Sequence, residues 1–172
     1  MSDYDAWAHD YDLWAAGTTA DVPFYVSLAH EAAEPIVELA AGTGRIAIPI
    51  ARETGKRVIG IDRSPAMLAV GRERAGDLPV DFRLGDFRDF TVEQPVELVI
   101  CPARSLLHAP SLADKRAVFD AAARALKPGG RFGGTPSPST RRSRPRTAGG
   151  DTSARTGAGR RLGTCRPSGA ST

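Results

Sequence analysis

The sequence predicts an α/β domain built on a parallel sheet, and three observations point to it. Short strand-like segments at 36–39, 57–61, 80–84 and 96–101, most of them apolar and β-branched, alternate with stretches of helical periodicity. That alternation is how parallel strands and their crossover helices appear in sequence. Second, the run Ile36-Val37-Glu38-Leu39 passes through Ala40 and Ala41 into Gly42-Thr43-Gly44-Arg45 and opens into a helical pattern. A strand, a tight turn and a helix N-terminus in that order form the arrangement in which such sheets hold a nucleotide-like ligand at the carboxyl ends of their strands. Third, three successive strands end in, or run into, a carboxylate: Glu38, Asp62 and Asp86.

The elements follow in chain order. Residues 4–14 place Tyr4 and Trp7 each seven positions before Tyr11 and Trp14, which puts each pair on one side of a helix. A helix over 22–34 presents Phe24, Leu28 and Ala32, or else Val26, Ala29 and Ala33, to the sheet, and Pro35 stops it. After the glycine turn a helix runs over 45–53, with Pro49 tolerated if it falls in the first turn. The strand at 57–61 ends in Asp62, and Ser64-Pro65 supplies an N-cap and a first-turn proline for a helix to about 74, packed through Met67, Leu68 and Val70. The strand at 80–84 leads into Gly85-Asp86-Phe87, and Pro102 ends the strand at 96–101. Ser111, with Asp114 in capping-box position, starts a helix to about 127 whose inner face reads Leu112, Lys115, Phe119, Ala122 and Leu126. Lys127-Pro128-Gly129-Gly130 terminates it, and Arg131-Phe132 begins a fifth strand.

Two cofactor chemistries fit the glycine turn. Gly42-x-Gly44-x-x-Ala47, with Asp62 twenty residues beyond Gly42, matches the dinucleotide fingerprint. That match implies a nicotinamide-dependent oxidoreductase. Glu38 argues the other way: a carboxylate at the strand tip is a poor neighbour for a diphosphate and suits a ligand with an ammonium and a sulfonium. Asp62 accepts two ribose hydroxyls in either reading. Asp86 can accept from an adenine amino group while the Phe87 N–H reaches a ring nitrogen. Each acid alone is as readily a solvated or capping strand-end residue; the coincidence of three around one turn carries the argument.

These segments closely resemble class I S-adenosylmethionine-dependent methyltransferases. Glu38-Leu39-Ala40-Ala41-Gly42-Thr43-Gly44 is similar to that family's first motif and Ile59-Gly60-Ile61-Asp62-x-Ser64-x-x-Met67-Leu68 to its second. Gly85-Asp86 resembles the third motif, and Leu126-Lys127-Pro128-Gly129-Gly130-Arg131-Phe132 the turn into strand five. Tyr4 to Trp14 resembles the lid of small-molecule methyltransferases. The resemblance covers about 4–132 and implies a Rossmann-like sandwich with strand order 3-2-1-4-5 and S-adenosylmethionine as cofactor. It implies that Tyr11 closes over the methionine end and that Met67 flanks the adenine. Cys101 would contribute backbone, and Ala40, Gly42, Gly44 and Arg63 complete the binding set. Ala40 departs from the family, which more often has glycine there. The implied acceptor is a small molecule: the loop Cys101-Pro102-Ala103-Arg104-Ser105-Leu106-Leu107-His108 lacks the Asp/Asn-Pro-Pro-Tyr signature of nucleic-acid base methylation and has no Pro-Cys nucleophile. His108 is a candidate general base and Arg104 a candidate contact for an anionic acceptor; each also reads as a packing or solvated residue.

Composition divides the chain. Residues 133–172 hold eight Arg and one acid, a net of +7, which leaves −4 on residues 1–132 of a chain whose formal charge is +3. That tail is mostly Gly, Ser, Thr, Arg, Pro and Ala, too poor in apolar residues to offset the entropy of ordering it, so it is expected to be disordered. Residues 1–132 are expected to form an incomplete methyltransferase domain without the family's usual C-terminal antiparallel strands. The tail's amino acids have codons rich in G and C, as a GC-rich gene read in a shifted frame would give. The rival reading is an Arg-rich segment that binds nucleic acid or another polyanion non-specifically. Cys101 and Cys165 make neither a disulfide framework nor a metal spacing. The acidic start Met1-Ser2-Asp3-Tyr4, without an apolar core, is not expected to act as a signal peptide. No apolar run is long enough to span a membrane, and the expected compartment is the cytoplasm.

Overall fold

The computed structural model describes residues 5–11, 13, 19–102 and 104–134, all within the unit Met1–Arg141. Tyr4, Trp14, the side chain of Trp7 and the tail beyond Gly134 lie outside the described residues, and with them the paired-aromatic stripe, the disordered-tail reading and its polyanion-binding alternative.

Five strands form one sheet in the order β3-β2-β1-β4-β5, as the family resemblance implies. They are β1 (Ile36–Leu39), β2 (Val58–Asp62), β3 (Val80–Leu84), β4 (Val96–Cys101) and β5 (Leu126–Gly134). Every pairing is parallel, with Ile36 opposite both Val58 and Leu98. One helix, α1 (Val22–His30), precedes β1, and three cross between strands: α2 (Ala47–Thr54), α3 (Pro65–Ala75) and α4 (Leu112–Ala125).

Helices on both faces explain why the central strands are apolar on both sides. Ile36, Val58, Leu98 and Ile100 face α1 and α2, packing on Tyr25, Val26 and Ala29. Val37, Leu39, Ile59 and Val99 face the other way, onto Val118, Ala121, Ala122 and Ala125 of α4. Glu38 falls by alternation on the α2 side, and it is buried.

The helix ends follow their local chemistry. Pro49 falls in the first turn of α2, which begins at Ala47 rather than Arg45, and Gly55 closes that helix in the left-handed region. Ser64 caps α3 by accepting from the Met67 N–H, and Ser111 and Asp114 make a reciprocal capping box on α4. At the C-terminus of α1, Lys56 Nζ donates to the carbonyls of Ala29, His30 and Ala32 at 2.8, 3.0 and 2.6 Å, satisfying acceptors that the helix leaves open.

Three sequence expectations are corrected. Helix α1 ends at His30, and its buried face is Tyr25, Val26 and Ala29; Phe24 is exposed, as is Ala33 beyond the helix. In α4 the buried face is Val118, Ala121, Ala122 and Ala125, whereas Leu112 and Phe119 are exposed. Small residues let α4 lie close to the sheet, and Phe119 instead meets Phe132 of β5 edge-on, ring centres 5.3 Å apart. Finally, α4 stops at Ala125, and β5 runs on to Gly134, past the expected domain limit at 132, with a register irregularity between Val96 and Leu98.

The glycine turn packs into this core. Gly44 has φ +82, and a Cβ there would lie 2.8 Å from both Ile48 Cδ1 and Phe82 Cζ. Left-handed backbone and overpacking add, so Gly44→Ala is expected to cost about 2–4 kcal/mol, read as a fall in the urea unfolding midpoint. A midpoint within error of wild type would contradict this packing role.

Candidate functional site

A cleft opens at the carboxyl ends of β1 and β2, where a parallel sheet presents its loops. It encloses about 510 Å³ of space, open water included, and its walls include Tyr11, Gly42, Asp62, Met67, Phe87 and His108. A smaller recess adjoins it, reaching Glu38, Arg45 and Pro102, and the two share Tyr11, Ala40, Gly42 and Ser105.

Asp62 holds the glycine turn in place. Its Oδ2 accepts from the Gly42 N–H at 2.9 Å and its Oδ1 from the Ser64 N–H at 2.9 Å. Each oxygen keeps a second lone pair for a ligand hydroxyl. A Cβ on Gly42 would meet Met67 Cε at 3.3 Å, so the glycine leaves room beside the methionine. Ala40 adopts φ +57, a left-handed conformation that costs a non-glycine residue roughly 1 kcal/mol. The family's more usual glycine would relieve it.

Glu38 is the least ordinary group in the site. It is 2 % exposed, and its Oε2 makes no hydrogen bond to any described residue. Burial pushes its carboxyl up to about 8, against the opposing pull of the Arg45 guanidinium and of the Ala47 N–H. Arg45 is itself forked onto Asp21, Nη1 to Oδ1 at 2.5 Å and Nη2 to Oδ2 at 3.0 Å, so its charge is shared with the start of α1. Glu38 in turn adds to burial in pushing the Cys101 thiol up to about 12.

The N-terminal segment reaches the cleft through Tyr11. Asp5, in a short 3-10 turn (Asp5–Trp7), accepts from the Ser64 hydroxyl at the start of α3. A second 3-10 turn (Ser105–His108) after β4 brings Ser105 and His108 to the wall. Burial and the nearby Arg63 charge lower the His108 pKa.

The structure therefore gathers Tyr11, Glu38, Ala40, Gly42, Asp62, Arg63, Met67 and Phe87 around one cleft. Gly44 and Cys101 do not line it: Gly44 serves the turn and the core, and Cys101 is buried at the end of β4 while Pro102 takes the wall. Nor does Asp86 line it. Its carboxylate is gripped by Arg88, with Nε 3.0 Å from Oδ1 and Nη2 2.5 Å from Oδ2, and Arg88 Nη1 reaches Asp114 at 2.7 Å. Arg88 holds the Asp86 carboxyl well below the usual carboxylate range. Ser105 was missed by sequence reasoning, since an isolated serine after a strand carries no motif.

The family profile described as "Methyltransferase domain" matches residues 36–130, from the start of β1 into β5 and more than half of the chain. The chain belongs to this methyltransferase family. Demethylmenaquinone methyltransferase of Clavibacter sepedonicus is 36 % identical over 121 residues, 70 % of this chain and 45 % of that protein. The CcbJ methyltransferase of Streptomyces caelestis has a solved structure that superposes with TM-score 0.59 at 31 % identity, covering 66 % of this chain and 50 % of that one. The glycopeptide N-methyltransferase MtfA, solved in complex with sinefungin, superposes with TM-score 0.59 at 26 % identity over 66 % of this chain and 51 % of that one. The chain spans less than half the length of the curated relatives it matches.

The Glu38 carboxyl has a measurable consequence. Below its ordinary value of 4.5 it is neutral whether the chain is folded or not and contributes nothing to the pH dependence. Above that, the unfolded chain ionises while the folded one keeps its proton until about 8, so stability falls as pH rises through this window. Glu38→Gln is expected to remove that slope, so that its urea midpoint gains on wild type from pH 4.5 to pH 8. Parallel midpoints for the two proteins would show that Glu38 is ionised in the folded state.

Proposed function

We propose that this chain binds S-adenosylmethionine in the cleft and transfers its methyl group to a small-molecule acceptor. The observation that supports this best is the orphaned, buried Glu38 oxygen facing the same cleft as the Asp62-held glycine turn. A buried acceptor without a donor is costly, and a ligand ammonium would satisfy it. The residues present fit the cofactor: Asp62 for the ribose diol, Glu38 for the amino group, and Met67 and Phe87 as apolar walls for the base.

When bound, the cofactor supplies an electrophilic methyl on a sulfonium; the protein's part is position and a dry surround. Tyr11 borders both the part of the cleft that holds Asp62 and the recess that holds Glu38. The small-molecule acceptor is supported by the names of the relatives, which act on demethylmenaquinone and on glycopeptide. MtfA was also solved with S-adenosylmethionine itself.

A dinucleotide remains the rival ligand, and Glu38 separates the two. Because the acid stays protonated near neutral pH, it discriminates through what it gains on ionising beside a cation. A diphosphate offers no such gain. Calorimetric titration with S-adenosylhomocysteine and, separately, NAD tests the proposal: binding of the first alone is expected, weakened at least tenfold by Asp62→Ala. Binding of NAD alone would overturn it, and circular dichroism of the variant guards against simple unfolding.

A further inference from the structure

The two parts of the cleft have one acid each and share one stretch of wall. Asp62 lies in the larger part and Glu38 in the recess, while Tyr11, Ala40, Gly42 and Ser105 border both. Any ligand anchored at both acids passes its middle through this shared stretch. Under the proposed function, on which this inference rests, that middle is the sulfonium and its methyl group. Two of the four shared residues, Ala40 and Gly42, offer no polar side chain, which leaves the hydroxyls of Tyr11 and Ser105.

Tyr11 already has a partner within the structure. Ser105 is different: its backbone N–H donates to the Pro102 carbonyl at 3.3 Å, which fixes the turn, but its hydroxyl makes no hydrogen bond to any described residue. The serine is half-buried at the start of the 3-10 turn that follows β4. His108, three residues on, lines only the larger part with Asp62 and Arg63, and feels both of their charges. That places the histidine on the ribose side, away from the transfer point.

We infer that Ser105, and not His108, is the polar contact at the point of methyl transfer, where its hydroxyl meets the acceptor's attacking atom and holds it in line. The shared wall supports the placement, and the unspent hydroxyl supports the role. A serine oxygen there would accept a hydrogen bond from an amine or hydroxyl acceptor. As the acceptor's lone pair formed the bond to the methyl carbon, the carbon–sulfur bond would break with its electron pair returning to sulfur as a neutral thioether, and the acceptor's proton would leave to solvent rather than to the serine.

Sinefungin tests this without knowledge of the acceptor, because it carries an amino group where S-adenosylmethionine carries its methyl sulfonium. S-adenosylhomocysteine carries nothing there. A hydrogen bond to a charged donor is worth about tenfold or more in affinity. Wild type is therefore expected to bind sinefungin more tightly than S-adenosylhomocysteine. Ser105→Ala should lower the sinefungin affinity about tenfold while leaving S-adenosylhomocysteine within about twofold. Ser105→Thr, which keeps the hydroxyl, should retain the preference. A preference unchanged in Ser105→Ala, or one lost in His108→Ala instead, would overturn the inference. If neither ligand binds the folded wild-type protein, the cofactor reading itself fails.

Discussion

A carboxyl group sealed into the first strand of a parallel sheet is the constraint around which this site is arranged. Strand alternation turns Glu38 onto the face covered by α1 and α2, where it is 2 % exposed. One cation, Arg45, stands close enough to matter, and Asp21 shares it. The folded protein thus carries an acid that it neither ionises readily nor fully satisfies. A group held in that condition is destabilising on its own, and its environment makes sense when a cationic ligand completes it.

The neighbouring features work to the same end. Asp62 spends one lone pair of each oxygen on backbone N–H groups and so joins the β1–α2 turn to the start of α3. That turn is tightly packed, with Gly44 against Ile48 and Phe82 and Ala40 held in a left-handed conformation. Strain and close packing make the turn rigid, and rigidity keeps Glu38 and Asp62 at a fixed separation. Asp5 on Ser64 extends the same framework to the segment that carries Tyr11.

Much of this was legible in the sequence. Strands β1, β2 and β4 were readable because buried strands are near-continuous apolar runs, and in β1 and β2 a carboxylate, Glu38 or Asp62, sits at the C-terminal end. Helix faces were harder. In α1, two overlapping stripes compete: the one through Val26 and Ala29 is buried with Tyr25 beside it, while Phe24 is exposed and meets the Tyr25 ring edge-on at 5.1 Å. In α4, bulk misled: alanines and Val118 form the inner face because the helix lies close to the sheet, while Leu112 and Phe119 stay out. Asp86, placed after β3, reads as a base contact, yet Arg88 grips it and in turn donates to Asp114 of the α4 capping box. Only the Arg88–Asp114 contact depends on where α4 begins in space, which no local pattern encodes.

The most direct test of the account is proton release on binding. Titrating the protein with S-adenosylhomocysteine at pH 7, in two buffers of different ionisation enthalpy, measures the protons exchanged. If Glu38 is protonated in the free cleft and ionises against the ligand's ammonium, close to one proton is released per site, and Glu38→Gln releases none. Binding with no proton release in wild type would mean that the carboxyl is already ionised or is not the ammonium's partner, and the role assigned to Glu38 would be wrong.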